Sequence, residues 1–392
     1  MYLSIDTYVA RLKDFFLRAG ASRAASWLLL CAFFWIVAAA SFSGFVGKWG
    51  LRDTIEKGVE EYGIEAMLDA SAYKPYVYRQ LAPIVSNFAD NLVPEKVKVY
   101  VTGKLKPKEP FARTMSAANP KLQFRYVVIY YSCFFSLFLS LFILRKILLD
   151  FGIGSSPAIL APTSLVLAFP YLQTVGGYFY DSIELFFMSL AFLVAMRGKI
   201  FLLIMLALPA TLNKETFIFF LPTLYPILRY RLSPKSALIG TLLAIFAAGL
   251  INVLLKITFF NAPGGAVELH YDNALYFYLK SFYRFNEITY GIIGPHRAFL
   301  GTIAVITIIV LRSWTLCLPT VRQHLLIAAT IIFPLFVMFC QYGELRDLSL
   351  LFVGFVILIA LALDRGNNPK TQVVVDETSQ QNHGRFPPRQ ST

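Results

Sequence analysis

The stretch AASWLLLCAFFWIVAAASFSGF, residues 24–45, runs for 22 residues without a charged side chain. A helix of that length is about 33 Å long, which matches the roughly 30 Å hydrocarbon core of a lipid bilayer. The run is also too long for the apolar region of a typical cleaved secretory signal. It therefore predicts an uncleaved first membrane span.

The rest of the chain has the same apolar character. Of its 392 residues 57% are hydrophobic and only 15% are charged, and the mean hydropathy is +0.60. A soluble domain carries about 25% charged residues, so the composition predicts an all-α polytopic membrane protein. We expect about ten transmembrane helices. The predicted spans are residues 25–46, 127–149, 156–173, 180–196, 199–212, 216–229, 236–260, 297–313, 323–341 and 347–363.

Lysine and arginine residues predict the orientation of these spans. If the spans alternate, the basic residues of the short flanking segments all fall on one side, which the positive-inside rule assigns to the cytoplasm. Both termini are then cytoplasmic, as in a multi-pass protein of the bacterial inner (plasma) membrane. The residues that decide this are Arg11, Lys13, Arg18, Arg23, Arg145, Lys146, Arg197, Lys199, Arg229, Arg231, Lys235, Arg312, Arg322, Arg365 and Lys370.

The net charge of +13 is explained by the basic residues that flank the spans. It indicates membrane topology and contact with anionic lipids rather than nucleic-acid binding. We therefore expect membrane lipids as partners and no nucleic acid.

The chain divides into three parts. Residues 1–24 are predicted to form a cytoplasmic interfacial helix, because their apolar side chains share one helical face. Residues 25–363 form a multi-span membrane domain with long outer loops at 47–126 and 261–296. Residues 364–392 are rich in Asn, Gln, Pro and Ser and are predicted to be a disordered cytoplasmic tail.

The sequence indicates no specific cofactor or metal. The chain has no CxxC motif, and its cysteines lie in or beside apolar runs, so they are interpreted as small core residues. An acid/base or divalent-metal role stays open for four residues in the second outer loop, although their spacing is not specific. These candidates are Glu268, His270, Asp272 and Glu287.

Three span ends on the predicted outer side carry charges. They are GGYFYDS at 176–182, LNKET at 212–216 and QYGELRDL at 341–348. Charges at such positions are costly unless they form pairs or line a wet cavity. The candidates for a shared cavity are Asp181, Lys214, Glu215, Glu344 and Arg346.

Each of these candidates also has a purely structural interpretation. Asp181 is expected as the N-cap of the fourth span, with Glu184 completing a capping box. Glu215 is a candidate cap of the sixth span. Arg346 is a candidate for an interfacial ion pair whose side chain snorkels to the membrane surface.

The first outer loop contains helical apolar spacing between Ile55 and Leu68, and again towards Phe88. Amphipathic pieces of this kind are expected to lie flat on the outer leaflet and cover a cavity. Between them, KPYVYRQLAP places Arg79 among tyrosines, an arrangement that suits a phosphate because the guanidinium binds two oxygens. The alternative is an interfacial aromatic belt with a basic anchor.

This arrangement resembles the GT-C class of integral membrane glycosyltransferases, in particular an uncharacterised bacterial branch. YKPYVYRQLAP is similar to a Tyr/Arg-Leu-x-Pro stretch in the first outer loop of these proteins, and NKET to their Asn-Arg-Glu-Thr junction. YDSIELFFMSLAF resembles their aspartate-started middle span. The architecture covers nearly the whole chain, whereas the motifs cover only some 30 residues.

The resemblance implies transfer of a sugar from a polyprenyl-phosphate-linked donor at the non-cytoplasmic face. It implies an acidic general base early in the first outer loop, where Asp53 and Asp69 are the candidates; Glu215 is a further catalytic candidate. Cations must stabilise the departing phosphate. The phosphate-binding candidates are Arg79, Lys214 and Arg346, with Tyr76 and Tyr78 beside them.

Two other functions remain open. A transporter or flippase of a lipid-linked or anionic solute would place polar residues at mid-membrane depth on broken helices, often in repeated halves. The charges here lie at span ends on one side and no repeat is visible, which favours a one-sided site. The second is a non-catalytic envelope-polymer assembly factor on the same scaffold, because neither Asp53 nor Asp69 sits in the paired-acid motif of well-known GT-C members.

Overall fold

The computed structural model describes most of the predicted membrane domain. The described residues are 23–51, 63–105, 120–173, 176–265, 287–289, 292–294, 300–340 and 344–364. The predicted interfacial helix at the N-terminus, the tail after Asp364 and most of the loop 261–296 lie outside these residues.

The described residues are mainly helical. The only strands among them form a short antiparallel hairpin, β1 Glu287–Thr289 paired with β2 Ile292–Gly294. The α-helices in chain order are α1 Arg23–Trp49, α2 Ile64–Leu68, α3 Leu81–Leu92, α4 Glu95–Leu105, α5 Pro120–Asp150, α6 Ser155–Leu172, α7 Phe179–Met196, α8 Ile200–Asn213, α9 Phe217–Phe220, α10 Tyr225–Leu228, α11 Pro234–Thr258, α12 Leu300–Ser313, α13 Pro319–Phe339 and α14 Phe352–Asp364.

Seven helical segments are long and apolar enough to cross a membrane. This confirms the prediction of a helical, multi-pass membrane protein. The seven are Ala24–Trp49, Leu122–Asp150, Ser155–Leu172, Phe179–Met196, Pro234–Thr258, Pro319–Phe339 and Leu345–Asp364. The last begins as a 3-10 helix, Leu345–Leu351, that continues into α14.

The other three predicted spans, 199–212, 216–229 and 297–313, coincide with shorter apolar helices. Prolines explain why the second of them is broken. Pro222 and Pro226 have no backbone N–H, and the segment Phe217–Leu228 is divided into α9, a 3-10 turn and α10.

Helix α7 lies at the centre of the bundle. In its apolar membrane-spanning segment 78% of the residues are buried, whereas in that of α11 only 28% are buried. It packs against α5, α8 and α10, and aromatic side chains such as Phe179 and Phe192 fill the space between them. Helix α11 instead exposes Leu242 and Phe246, as expected of a lipid-facing helix.

The loop 47–126, predicted to lie on the outer side, contains helices, as its apolar spacing predicts. Helix α2 covers only the end of the predicted stretch 55–68, because residues 52–62 lie outside the described residues. A 3-10 turn at Tyr76–Tyr78 then leads into α3. Helix α3 packs against α5 and α8, so this loop rests on the end of the bundle and brings Arg79 to it.

Candidate functional site

Charged side chains from four separate segments meet at one end of the bundle. The segments are the loop before α3, the start of α7, the break between α8 and α9, and the 3-10 start of the last span. We call this cluster the charged network. Its members are Arg79, Asp181, Glu184, Lys214, Glu215, Glu344, Arg346 and Asp347.

Arg79 forms a two-contact ion pair with Glu215. Its Nη2 lies 3.2 Å from Oε1 and its Nε lies 3.4 Å from Oε2. Nη1 donates to the hydroxyl of Tyr180. The guanidinium carbon lies 4.4 Å from the Tyr180 ring centroid and 5.1 Å from that of Tyr76, within cation–π range. Arg79 is therefore held by a carboxylate and two aromatic rings rather than exposed on the loop.

The Arg79–Glu215 pair changes the pKa of both groups. Burial alone would lower the pKa of Arg79, but the adjacent Glu215 carboxylate raises it above its ordinary value. Burial alone would raise the pKa of Glu215, but Arg79 holds it below its ordinary value. Both side chains are consequently charged at neutral pH.

Lys214 is the most enclosed cation of the network, with 3% of its side chain exposed. Its Nζ lies 2.9 Å from Glu184, 3.2 Å from Asp347 and 3.8 Å from Asp181. Burial alone would lower its pKa, but these carboxylates raise it, so the ammonium stays charged. Lys214 links the start of α7 to the start of the last span.

Arg346 joins the same two segments. Its Nη1 donates to Asp181 at 3.0 Å, and its Nη2 donates to Glu344. Nη1 also lies 3.6 Å from Asp347. Its guanidinium carbon is 4.9 Å from the ring centroid of Tyr178, whose ring stacks on that of Tyr180. The aromatic pair thus lies between the two arginine sites.

The prediction that Asp181 is the N-cap of α7 and that Glu184 completes its capping box was wrong. The N-cap of α7 is Tyr178, and Asp181 occupies the third helical position, where it accepts the Tyr178 backbone N–H at 2.9 Å. Glu184 lies one turn deeper and accepts from Lys214, Thr216 and Ser349. Because residues three apart share a helix face, both carboxylates point into the network.

Of the other predicted site residues, two tyrosines lie beside the charged network and one aspartate lies outside it. Tyr76 contributes its ring to Arg79, and its hydroxyl accepts from the Tyr178 hydroxyl at 3.1 Å. Tyr78 is buried, and burial together with the Glu215 charge raises its pKa. Asp69 caps the end of α2 and pairs with Arg125 at 3.5 Å, with 58% of its side chain exposed. Asp69 therefore lies outside the charged network.

Several candidates cannot be placed. Asp53 lies outside the described residues, as do Glu268, His270 and Asp272 of the loop 261–296. Glu287, from the same loop, begins β1. In contrast, sequence reasoning missed Glu184, Asp347 and Tyr180 as members of the site. The signal that would have found Glu184 is its spacing of three residues from Asp181.

Among the described residues, the network contains three cationic and five acidic side chains. Each cation already has a carboxylate partner, and the ionised network has an excess of two negative charges. Buried charges are costly without compensation. An anionic ligand must therefore displace a carboxylate from its cation, or arrive together with a cation or proton.

One set of side chains at the edge of the network has the donor atoms of a metal site. The ligand atoms of Cys340, Glu344 and Asp347 lie within 4.8 Å of one another. Thiolate and carboxylate ligands together are compatible with Zn²⁺. Arg346 and Lys214 contact the same carboxylates, however, and their positive charges oppose a metal ion there.

The loop before α7 approaches the network so closely that it has no space for side chains. A Cβ at Gly176 would lie 2.5 Å from Oε1 of Glu344, and one at Gly177 would lie 2.5 Å from Cδ1 of Trp49. The Trp49 indole N–H donates to the Gln173 carbonyl at 2.6 Å, which fixes its ring. These glycines therefore allow α1 and the last span to meet the start of α7.

We expect Gly177→Ala to lower the free energy of unfolding by about 1–3 kcal/mol, the usual cost of overpacking. Gly103→Ala is the matched control, because a Cβ at Gly103 meets nothing within 4 Å. It lies inside α4, where alanine favours the helix by about 0.5–1 kcal/mol. Denaturant unfolding in mixed micelles measures both changes. An unchanged Gly177→Ala protein would show that the loop moves away freely.

Comparison with protein-family models, with curated proteins and with solved structures found no match to this chain.

Proposed function

We propose that this protein is a membrane glycosyltransferase. It transfers a sugar from a polyprenyl-phosphate-linked donor to an acceptor at the non-cytoplasmic face. The observation that supports this most is the Arg79–Glu215 pair, which joins the first outer loop to the break between α8 and α9. It brings a guanidinium, suited to binding phosphate, and a carboxylate, suited to accepting a proton, into direct contact at one end of the bundle.

Arg79 is better suited to the donor phosphate than the other two cations. Lys214 and Arg346 each contact three carboxylates, and their side chains are 3% and 7% exposed. Arg79 has one carboxylate partner, Glu215, whose side chain is 26% exposed. A phosphate would therefore displace a single, accessible carboxylate. A guanidinium also matches phosphate geometry through two parallel hydrogen bonds.

This exchange supplies the general base. Glu215, released from Arg79, accepts the proton of the acceptor hydroxyl as the hydroxyl oxygen bonds to the anomeric carbon of the sugar. The bond between that carbon and the phosphate oxygen breaks, and its electron pair stays on the phosphate. Arg79 stabilises the charge that develops there. The buried contacts of Lys214 and Arg346 hold the surrounding helix ends in place.

Transfer activity tests this proposal. Purified protein in lipid nanodiscs is incubated with radiolabelled polyprenyl phosphate sugars of several kinds and with membrane extract as the source of acceptors. We expect transfer from one of these donors, and loss of transfer in Glu215→Gln with binding of the donor retained. Asp69→Asn is expected to stay active, because Asp69 lies outside the network. An active Glu215→Gln protein would exclude Glu215 as the base.

We expect Arg79→Lys to reduce transfer on the order of ten- to a hundredfold, because lysine loses a charge-assisted contact worth roughly 1.5–3 kcal/mol. Arg79 is also buried, so the folded fraction must be measured alongside activity. Arg322→Lys is the matched control, since Arg322 is a partly buried arginine that donates to the backbone carbonyls of Cys317 and Thr315 outside the network. Equal losses in both variants would indicate a structural role alone.

The proposal includes about ten spans with both termini in the cytoplasm. Reporter fusions at residues 120, 214 and 280 are then expected outside, and fusions at 150, 233 and 318 inside. The basis is the distribution of lysine and arginine around the spans. Three or more reversed assignments would contradict an outward-facing network.

A second candidate is a transporter of a lipid-linked or anionic solute. The observation that favours it is the pair of irregular helices at the network, broken at Lys214–Thr216 and 3-10 at Leu345–Leu351. Transporters bind solutes at discontinuous helices of this kind. Movement of the labelled donor across a proteoliposome membrane, without transfer of its sugar, would establish this function instead.

A further inference from the structure

Helix α3 presents a stripe of exposed apolar side chains. Ile84, Val85, Phe88 and Leu92 are 49%, 44%, 66% and 69% exposed. At about 100° per residue, these four positions fall within an arc of roughly 100°. The opposite side of the helix is buried against the protein through Ala82, Pro83 and Ser86. The helix therefore has one face fixed to the bundle and one apolar face without a partner among the described residues.

Helix α4, which follows directly, lacks such a stripe. Its exposed apolar residues point in different directions around the helix, and the exposed Lys96 and Lys104 lie among them. These apolar residues are Val97, Val99, Tyr100 and Leu105. The two helices belong to the same loop, but only α3 has its exposed apolar side chains on one face. The stripe is therefore a property of α3 and not of the loop as a whole.

The position of α3 identifies what covers its stripe. The helix has 12 residues, about 18 Å, which is too short to span a bilayer. It packs directly on α5, one of the membrane-spanning helices, which itself exposes the apolar side chains Phe135 and Leu139. Exposed lysines of α4 follow in the chain, and lysines favour anionic lipid headgroups.

We infer that α3 is an in-plane membrane helix. Its Ile84–Leu92 stripe inserts into the acyl chains of the leaflet on the side of the charged network. This inference does not depend on the proposed function, because the same contact would serve an enzyme or a transporter. Its partner is the lipid bilayer.

The lipid contact also positions Arg79. Arg79 lies two residues before the first residue of α3, and Gln80 between them is the N-cap of the helix. The helix is fixed on its polar side by Asn87, which donates to the Leu68 carbonyl and accepts from Arg125, each at 3.0 Å. Insertion of the stripe therefore holds the start of α3, and with it Arg79, against Glu215.

Depth measurements test the insertion. Nitroxide labels are placed at positions 88 and 92, and as controls at 95 and 103 on α4, in a chain whose four natural cysteines are replaced by alanine. In nanodiscs containing anionic lipid, labels at 88 and 92 are expected to collide more with oxygen than with a water-soluble nickel chelate. The controls are expected to show the reverse. Equal behaviour at all four positions would overturn the inference.

A second measurement uses the unmodified chain, so it does not depend on folding of the cysteine-free variant. Phospholipids with a photoreactive diazirine in the acyl chain are incorporated into the nanodiscs, and labelled peptides are identified by mass spectrometry. Labelling within residues 84–92 and not within 95–105 supports insertion. The opposite distribution, or labelling of neither segment, contradicts it.

The effect on Arg79 is tested with the double variant Phe88→Glu and Leu92→Glu. Arginine-specific dicarbonyl reagents modify accessible guanidinium groups, and Arg79 and Arg346 are both buried. We expect at least a threefold faster modification of Arg79 in the variant and an unchanged rate at Arg346. Faster modification of both arginines would indicate general unfolding. Faster modification of neither would show that the stripe does not position Arg79. Either result would overturn the positioning role.

Discussion

Lys214→Met is expected to destabilise the protein by about 3–5 kcal/mol, the typical cost of removing one partner from a buried ion pair. Methionine fills the volume of the lysine stem but cannot donate to Glu184 or Asp347, which lie 2.9 and 3.2 Å from Nζ. The network then has two cations for five carboxylates. Unfolding of the purified protein in mixed micelles, with denaturing detergent as the variable, measures the change.

The control for Lys214→Met is Lys235→Met. Lys235 is exposed near the start of α11, and its replacement is expected to change stability by less than about 0.5 kcal/mol. Adding Glu184→Gln to Lys214→Met should recover part of the loss, because a neutral amide removes one uncompensated charge. If Lys214→Met is as stable as the Lys235→Met control, the ion pairs at Lys214 do not stabilise the fold.

Arg346→Met is expected to cost a similar amount, about 3–5 kcal/mol, because it leaves Asp181 and Glu344 without their shared cation. The pair can be isolated by a double-mutant cycle with Asp181→Asn. Asparagine keeps an oxygen that can accept the Tyr178 backbone N–H and removes the charge. Asp181→Asn should therefore be at least about 1 kcal/mol less costly in the Arg346→Met background than in the native chain.

The matched cycle for this pair is Arg125→Met with Asp69→Asn. That ion pair is longer, at 3.5 Å, and its carboxylate is 58% exposed, so a coupling below about 1 kcal/mol is expected. Additive effects of Arg346→Met and Asp181→Asn would contradict the expected coupling and would show that this contact does not contribute to stability.

The two destabilising variants bear on function as well. Lys214 and Arg346 were expected from the sequence to bind phosphate, but their contacts connect the ends of α7, α8 and the last span. A stabilising role for these two cations leaves Arg79 as the cation with the most accessible partner. The experiments on Arg79 and on Lys214 therefore separate ligand binding from folding.

Most of the fold was predictable from the chain itself. Long apolar runs can be tolerated only as membrane helices or buried cores, because hydrocarbon cannot satisfy an open backbone. Each of the ten predicted apolar segments coincides with helical structure, and seven of the helical segments are long enough to span a membrane. The expectation that charges collect at span ends identified five of the eight residues of the charged network, and the phosphate-binding interpretation of KPYVYRQLAP identified Arg79.

The partners of those charges were not predictable. Lys214 and Glu215 are neighbours in the sequence, yet Lys214 contacts Glu184 and Asp347, whereas Glu215 contacts Arg79. The backbone at Lys214 is extended, with φ −157° and ψ 126°, and successive side chains of an extended backbone point to opposite sides. Asp69 shows the opposite error. It was a candidate for the site, and nothing in its sequence context predicted that it lies outside the charged network.

The sequence by itself determined that this is a helical membrane protein and that its costly charges lie at helix ends, because both follow from hydrophobic length and from the penalty for charge in hydrocarbon. Only the tertiary structure decided which charges meet. Apart from the contacts of Arg346 with its near neighbours Glu344 and Asp347, the pairs join residues 30 to 165 positions apart. Contacts of that range depend on how the helices pack, which no local pattern records.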